Sequence, residues 1–138
     1  YTNKVPLKPG AREFLVWLRQ QGIRTGIASS NGIELVETVL KAQGIQEYLE
    51  SVHTCCEVPK GKPAPDIYLL VAKTLGVKPE ECLVFEDVPM GILAGKNAGM
   101  RVCAVEDTFS ASQREEKKEL ADYYIESYDE IPRERMQP

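Results

Sequence analysis

The run Cys82-Leu83-Val84-Phe85-Glu86-Asp87-Val88-Pro89 constrains this chain more than any other stretch. Apolar residues in unbroken succession, with Glu80-Glu81 before them and Glu86-Asp87 after, suit a strand covered on both faces, as in a parallel sheet layered between helices. Pro89 has no N–H to offer a neighbouring strand, so pairing stops there. Open α/β sheets bind ligands at the carboxyl ends of their strands. Two carboxylates delivered to that edge make Glu86 and Asp87 candidate metal ligands. Asp before Val-Pro is also ordinary helix-start chemistry, and from this stretch alone both readings stand.

The rest of the chain alternates strand and helix signals around that run. Ala11, Phe14, Leu15 and Leu18 recur at helical spacing, which predicts a helix from about Pro9 to Gln21 stopped by Gly22. Ile23 to Ala28 reads as a buried strand running into Ser29-Ser30-Asn31-Gly32. A second helix carries Leu35, Val36, Val39 and Leu40 on one face and closes at Gly44, and Ser51 to Cys56 has strand character. Glu57 to Asp66 holds three prolines and a glycine, which predicts a rigid loop. Pro65 then suits the first turn of a helix with Ile67, Leu70, Val71 and Leu75, ended by Gly76. After Pro89 come a short helix to Ala98-Gly99, a strand from Arg101 to Val105, a polar helix from Ser110 to Leu120 and an edge strand from Tyr123 to Ile125. This order predicts a doubly wound parallel α/β sheet with right-handed crossovers. The expected organisation is a single domain over 1–138, with an ordered core at 9–128 and a loosely held tail at 129–138.

Composition narrows the function classes. A formal charge of −4, with Lys and Arg interleaved among the acids, gives no sequence-independent attraction to nucleic acid or to an anionic membrane. No apolar run reaches transmembrane length, and the expected location is the cytoplasm. Cys55, Cys56, Cys82 and Cys103 lie in or beside apolar runs without zinc-ligand spacing, which suits buried free thiols. His53 sits inside an apolar run and reads as structural, and Asp107 reads as a loop residue.

If the strands are parallel, the loops after Ala28, Cys56 and Phe85 open on one edge of the sheet. They bring Ser29, Ser30 and Asn31, then Lys62, then Glu86 and Asp87. A hydroxyl with backbone N–H groups at a helix start binds phosphate oxygens, an ammonium neutralises charge, and two acids hold Mg²⁺. Each also has an ordinary use: Ser29 to Asn31 as a helix cap, Lys62 as an exposed loop lysine.

Gly26-Ile27-Ala28-Ser29-Ser30-Asn31, Gly61-Lys62-Pro63-Ala64-Pro65-Asp66-Ile67-Tyr68 and Phe85-Glu86-Asp87, followed by Gly91, Ala94, Ala98 and Gly99, resemble the second, third and fourth motifs of haloacid dehalogenase superfamily hydrolases. Within that superfamily they are most similar to the β-phosphoglucomutase-like sugar-phosphate phosphatases. The likeness runs from Pro9-Gly10 to the Tyr123–Ile125 strand and implies a Rossmann-like core. It further implies that Ser29 and the Ser30 N–H bind a transferring phosphoryl group and that Lys62 bridges phosphate and nucleophile. Glu86 and Asp87 would hold Mg²⁺, and the substrate would be a small phosphorylated metabolite. Response-regulator receivers share the residue types in the opposite order, acids first and Lys-Pro last.

The chain departs from that pattern at two points. The resemblance implies a first motif, Asp-x-Asp, whose leading Asp is the covalent nucleophile. Asp66, Asp87, Asp107, Asp122 and Asp129 are the only aspartates here, and none follows a strand before Ser29. The helical cap that would select the substrate is absent too. The expectation is a catalytic-core part of a longer phosphatase or phosphomutase, inactive alone, with a central strand missing between the strands ending at Ala28 and Phe85. That strand would come from an N-terminal fragment or a second chain, unless the two strands pair directly. The alternative is a non-catalytic binding or interaction module that keeps the fold.

Overall fold

The computed structural model describes residues 10–29, 46–54 and 57–130, together with Glu34, Glu37, Leu40, Lys41 and Gly44. Its elements in chain order are α1 (Ala11–Gln20), β1 (Gly26–Ser29), β2 (Ser51–Thr54), α2 (Asp66–Leu75), β3 (Leu83–Glu86), α3 (Pro89–Asn97), β4 (Arg101–Val105), α4 (Arg114–Leu120) and β5 (Tyr123–Ile125). Helical positions at Glu34, Glu37, Leu40 and Lys41 mark the helix expected between β1 and β2, most of which lies outside the described residues.

Among the described residues every strand pair is parallel, and the strands fall into two sheets, β1-β2 and β3-β4-β5. This is the expected α/β class with β5 at an edge. Gly26 faces Ser51, Leu83 faces Arg101 and Cys103 faces Tyr123. Among the described residues β1 and β3 share no ladder, so the two strands do not pair directly.

Alternation along the strands sends side chains to two layers. On one face Val84, Val102 and Ala104 pack with Ile67, Tyr68 and Ala72 of α2 and with Ile92, Ala94 and Ala98 at α3. On the other, Leu83, Phe85, Cys103, Val105 and Ile125 pack with Tyr128. Phe14 of α1 stands edge-on to Phe85 at 5.4 Å between ring centroids. Burying each of Ile67, Ile92, Val102 and Val105, all 0–1% exposed, contributes about 1.5–3 kcal/mol. A third cluster gathers Leu15, Ile27 and Val52 around Leu40.

Some boundaries differ from expectation for local reasons. The first strand begins at Gly26 rather than Ile23, because the Ile23 N–H still bonds the Leu18 carbonyl in the turn that ends α1. Pro65 precedes α2 as its cap instead of lying in its first turn, and Gly76 closes that helix at φ 72°, a conformation that favours glycine. The Ser110–Leu120 helix is a 3₁₀ segment, Thr108–Gln113, that becomes α-helical only at Arg114. β3 runs one residue beyond Phe85, so Glu86 ends the strand itself. Asp129 and Glu130 are hydrogen-bonded to Ser127, and residues 131–138 lie outside the described residues.

Candidate active site

Glu86 and Asp87 reach the sheet edge because β3 stops there. Val88 is extended and caps α3, Pro89 occupies its first turn, and the Ile92 N–H bonds back to the Val88 carbonyl at 3.1 Å. The Glu86 side chain therefore folds against the opening turn of α3. An N-terminal helix end favours negative charge.

Lys62 arrives from the loop after β2. An Ala64 N–H to Gly61 carbonyl bond of 3.0 Å closes a turn around Lys62-Pro63, and the Asn97 side-chain amide donates to the Pro63 carbonyl at 3.0 Å. Held so, the Lys62 ammonium donates to the Ala28 carbonyl at 3.2 Å and to Glu86 Oε2 at 2.7 Å. The two side chains are 12% and 10% exposed, so the pair is shielded rather than a surface contact. The ammonium also lies 5.1 Å from the centre of the Tyr68 ring.

Tyr68 is the partner that the sequence did not single out. It stands on α2, is buried, and its hydroxyl donates to the same Glu86 Oε2. Burial first, and then the negative charge of Glu86, pushes its phenol well above the ordinary value, which keeps it protonated and donating. Gly91 belongs to the pattern that carries the family resemblance, but the sequence assigned it no role. A Cβ there would lie 2.0 Å from Glu86 Cδ, so only glycine leaves room for the carboxylate. Besides the place of both residues in the motif strings, the signal was that a tyrosine on the buried face of a helix has a hydroxyl that needs a partner.

Ser29 ends β1, half-buried and opposite Thr54. Ser30 and Asn31, expected to bind phosphate, lie outside the described residues, as do Cys55 and Cys56. Cys82 and Cys103 are free thiols, and burial pushes Cys103 up to about 12. His53 bonds Glu57 and Thr74, each at 2.9 Å, and none of the residues just described. Asp107 follows β4 in a loop and its N–H bonds the Glu106 carboxylate.

A cleft of about 1710 Å³ runs between the facing edges of β1 and β3, lined by Ser29, Lys62, Tyr68, Glu86 and Asp87 among others. Small-ligand sites occupy roughly 300–1,000 Å³, so this space exceeds what a metabolite alone fills. Among the described residues no three of His, Cys, Asp and Glu gather to hold a metal ion. Glu86 and Asp87 form a pair of hard oxygen donors, which fits an ion such as Mg²⁺ that keeps waters and takes phosphate oxygens while using one or two carboxylates.

No helix among the described residues is long and apolar enough to cross a membrane. The model of the haloacid dehalogenase-like hydrolases matches residues 1–99. The chain is 32% identical over 126 residues to hexitol phosphatase B of Escherichia coli strain K12, across 91% of this chain and 56% of that protein. It is 39% identical over 104 residues to hexitol phosphatase A of the same strain, across 75% of this chain and 48% of that one. A CbbY mutant from Rhodobacter sphaeroides, solved in complex with xylulose-(1,5)-bisphosphate, superposes with a TM-score of 0.85 at 28% identity. The match covers 94% of this chain and 57% of CbbY. This chain thus spans about half the length of the curated relatives it matches. On these matches, the chain belongs to the haloacid dehalogenase-like hydrolase family.

Proposed function

We propose that this chain supplies the phosphoryl-handling part of a cytoplasmic phosphatase or phosphomutase that acts on a small phosphorylated metabolite, a sugar phosphate by the names of its relatives. The observation that carries this reading is the Lys62 ammonium, held between the Ala28 carbonyl at the end of β1 and the Glu86 carboxylate at the end of β3. Those contacts use two of its three N–H groups, leaving one for an anionic oxygen. In so shielded a place its charge acts more strongly than it would in water. Ser29, at the end of β1, would donate its hydroxyl to a phosphoryl oxygen. Glu86 and Asp87 would hold Mg²⁺, which when bound neutralises phosphoryl charge. The cleft between β1 and β3 would take the strand that carries the nucleophile, from an N-terminal fragment of the parent protein or from a second chain.

The test has two parts. The 138-residue chain alone is expected to release negligible phosphate from an aryl phosphate in the presence of Mg²⁺, because it lacks the Asp-x-Asp nucleophile. Turnover by the chain alone that disappears in Lys62→Ala would overturn that expectation. A parent protein carrying Asp-x-Asp is expected to hydrolyse or isomerise sugar phosphates and to lose roughly 10²-fold or more in kcat on Lys62→Ala. Unchanged turnover in that variant would remove the role given to Lys62.

A further inference from the structure

We propose that Tyr68 is a positioning residue which, together with Gly91, turns the Glu86 carboxylate so that one oxygen is closed and the other faces the phosphoryl site. The inference rests on the reading just given, in which Glu86 contributes to holding Mg²⁺. It adds the device that aims that carboxylate.

The argument starts from lone pairs. Each carboxylate oxygen accepts about two hydrogen bonds. Glu86 Oε2 accepts from the Lys62 ammonium at 2.7 Å and from the Tyr68 hydroxyl, so both of its sites are used. Among the described residues Oε1 accepts a long 3.3 Å bond from the Asp87 N–H, which leaves it able to take a cation or a bound water. Lysine alone does not set this orientation. An ammonium on a four-carbon stem is a mobile point charge whose donors rotate freely. A phenol on a packed aromatic stem has two side-chain torsions and a hydroxyl that stays in the ring plane's reach.

Tyr68 also acts on the other member of the pair. Its ring face lies 5.1 Å from the Lys62 nitrogen, within cation–π distance, so one side chain contacts both the cation and the anion. Gly91 completes the cradle from below. The space where its Cβ would stand is taken by Glu86, with Cδ at 2.0 Å and Oε2 at 2.2 Å from that point. The carboxylate is thus enclosed on three sides by α2, the Lys62 loop and the first turn of α3. Partners of metal-binding carboxylates typically change metal affinity 10–100-fold when removed.

The experiment measures Mn²⁺ binding to the parent protein by electron paramagnetic resonance, with Mn²⁺ as the probe for Mg²⁺, alongside melting temperature and steady-state kinetics. Tyr68→Phe keeps the ring beneath Lys62 and removes only the hydroxyl. It is expected to weaken Mn²⁺ binding 10–100-fold and to lower kcat with KM for substrate nearly unchanged. Gly91→Ala leaves Tyr68 intact, displaces Glu86, and is expected to weaken Mn²⁺ in the same direction, which covers the case of a poorly folded Tyr68→Phe. If Tyr68→Phe and Gly91→Ala bind Mn²⁺ like the wild type while Glu86→Gln loses it, the positioning role is wrong and the metal reading stands. If Glu86→Gln also binds like the wild type, or the wild type binds no Mn²⁺, the metal reading fails and takes the inference with it. A lowered melting temperature with unchanged Mn²⁺ affinity marks Tyr68 as structural only and overturns the proposal.

Discussion

The two halves of the sheet are built from the same unit, a short parallel strand followed by a helix, yet they are buried to different degrees. In β4, Val102 to Val105 are 0–4% exposed, enclosed by β3, β5, α3 and the aromatic cluster around Tyr128. In β1, Gly26 is exposed and Ile27 to Ser29 are only half-buried, because one edge of the strand has a ladder with β2 and the other opens on the cleft. A strand gains stability from its cross-strand and cross-face neighbours more than from its own composition. The three-stranded half therefore carries the fold, and the two-stranded half depends on what stands beside it. The candidate site straddles both, with Glu86 on the well-packed side and Ser29 on the other.

The difference predicts unequal costs for equal truncations. Ile92→Ala, at a fully buried position beside Val84 and Val102, is expected to cost about 2–5 kcal/mol in urea unfolding. Ile27→Ala, at a half-buried position in the other half, is expected to cost roughly 1 kcal/mol, since neighbours around a partly open site relax. Equal losses would break the comparison.

Asp122 sharpens it at the next level. Its carboxylate accepts from Lys96 at 2.9 Å and from the Val102 N–H at 2.8 Å, tying the start of β4 to α3 and to the turn before β5. The Lys96 bond holds its carboxyl below the usual range. A folded-state value below the unfolded one stabilises the fold above about pH 4, and that stability is lost as pH falls through the folded value. Asp122→Asn is expected to remove about 1–2 kcal/mol at neutral pH, discounted for a side chain one-third exposed, and to flatten the acid limb of the stability profile. An unchanged acid limb would assign that limb to other carboxylates. The smallest effect belongs to Arg19, whose pair with Glu47 at 3.8 Å joins two exposed side chains beside the two-stranded half. Arg19→Ala is expected to shift stability by about 0.5 kcal/mol, readable as a small change in melting temperature that salt diminishes.

The same division governs how much of the molecule was legible in its sequence. β4 and β5 fall at Arg101–Val105 and Tyr123–Ile125, the expected bounds: the apolar run of β4 is buried from Val102 onward, and β5 is short, bounded by turn signals and buried only at Ile125, as an edge strand is. β1 slid by about three residues at its start, because where a parallel strand begins depends on a partner twenty-five residues away: Ser51 first faces Gly26. The meeting of Lys62 with Glu86 followed from parallel topology, which carries both loops to one edge. The hydroxyl of Tyr68 and the bare Cα of Gly91 did not. Tyr68 and Gly91 stand in the motif strings without a role until Glu86 is seen between them. Local pattern gives the face a residue occupies, and only tertiary contact gives its neighbour across that face.

The single ammonium bonded to both Ala28 and Glu86 has a consequence for tolerance. A hydrogen bond weakens steeply over a few tenths of an ångström, so both contacts at Lys62 are made only while the ends of β1 and β3 stay within reach of one ammonium. Alignment of the halves and readiness of the cation are then one geometric condition.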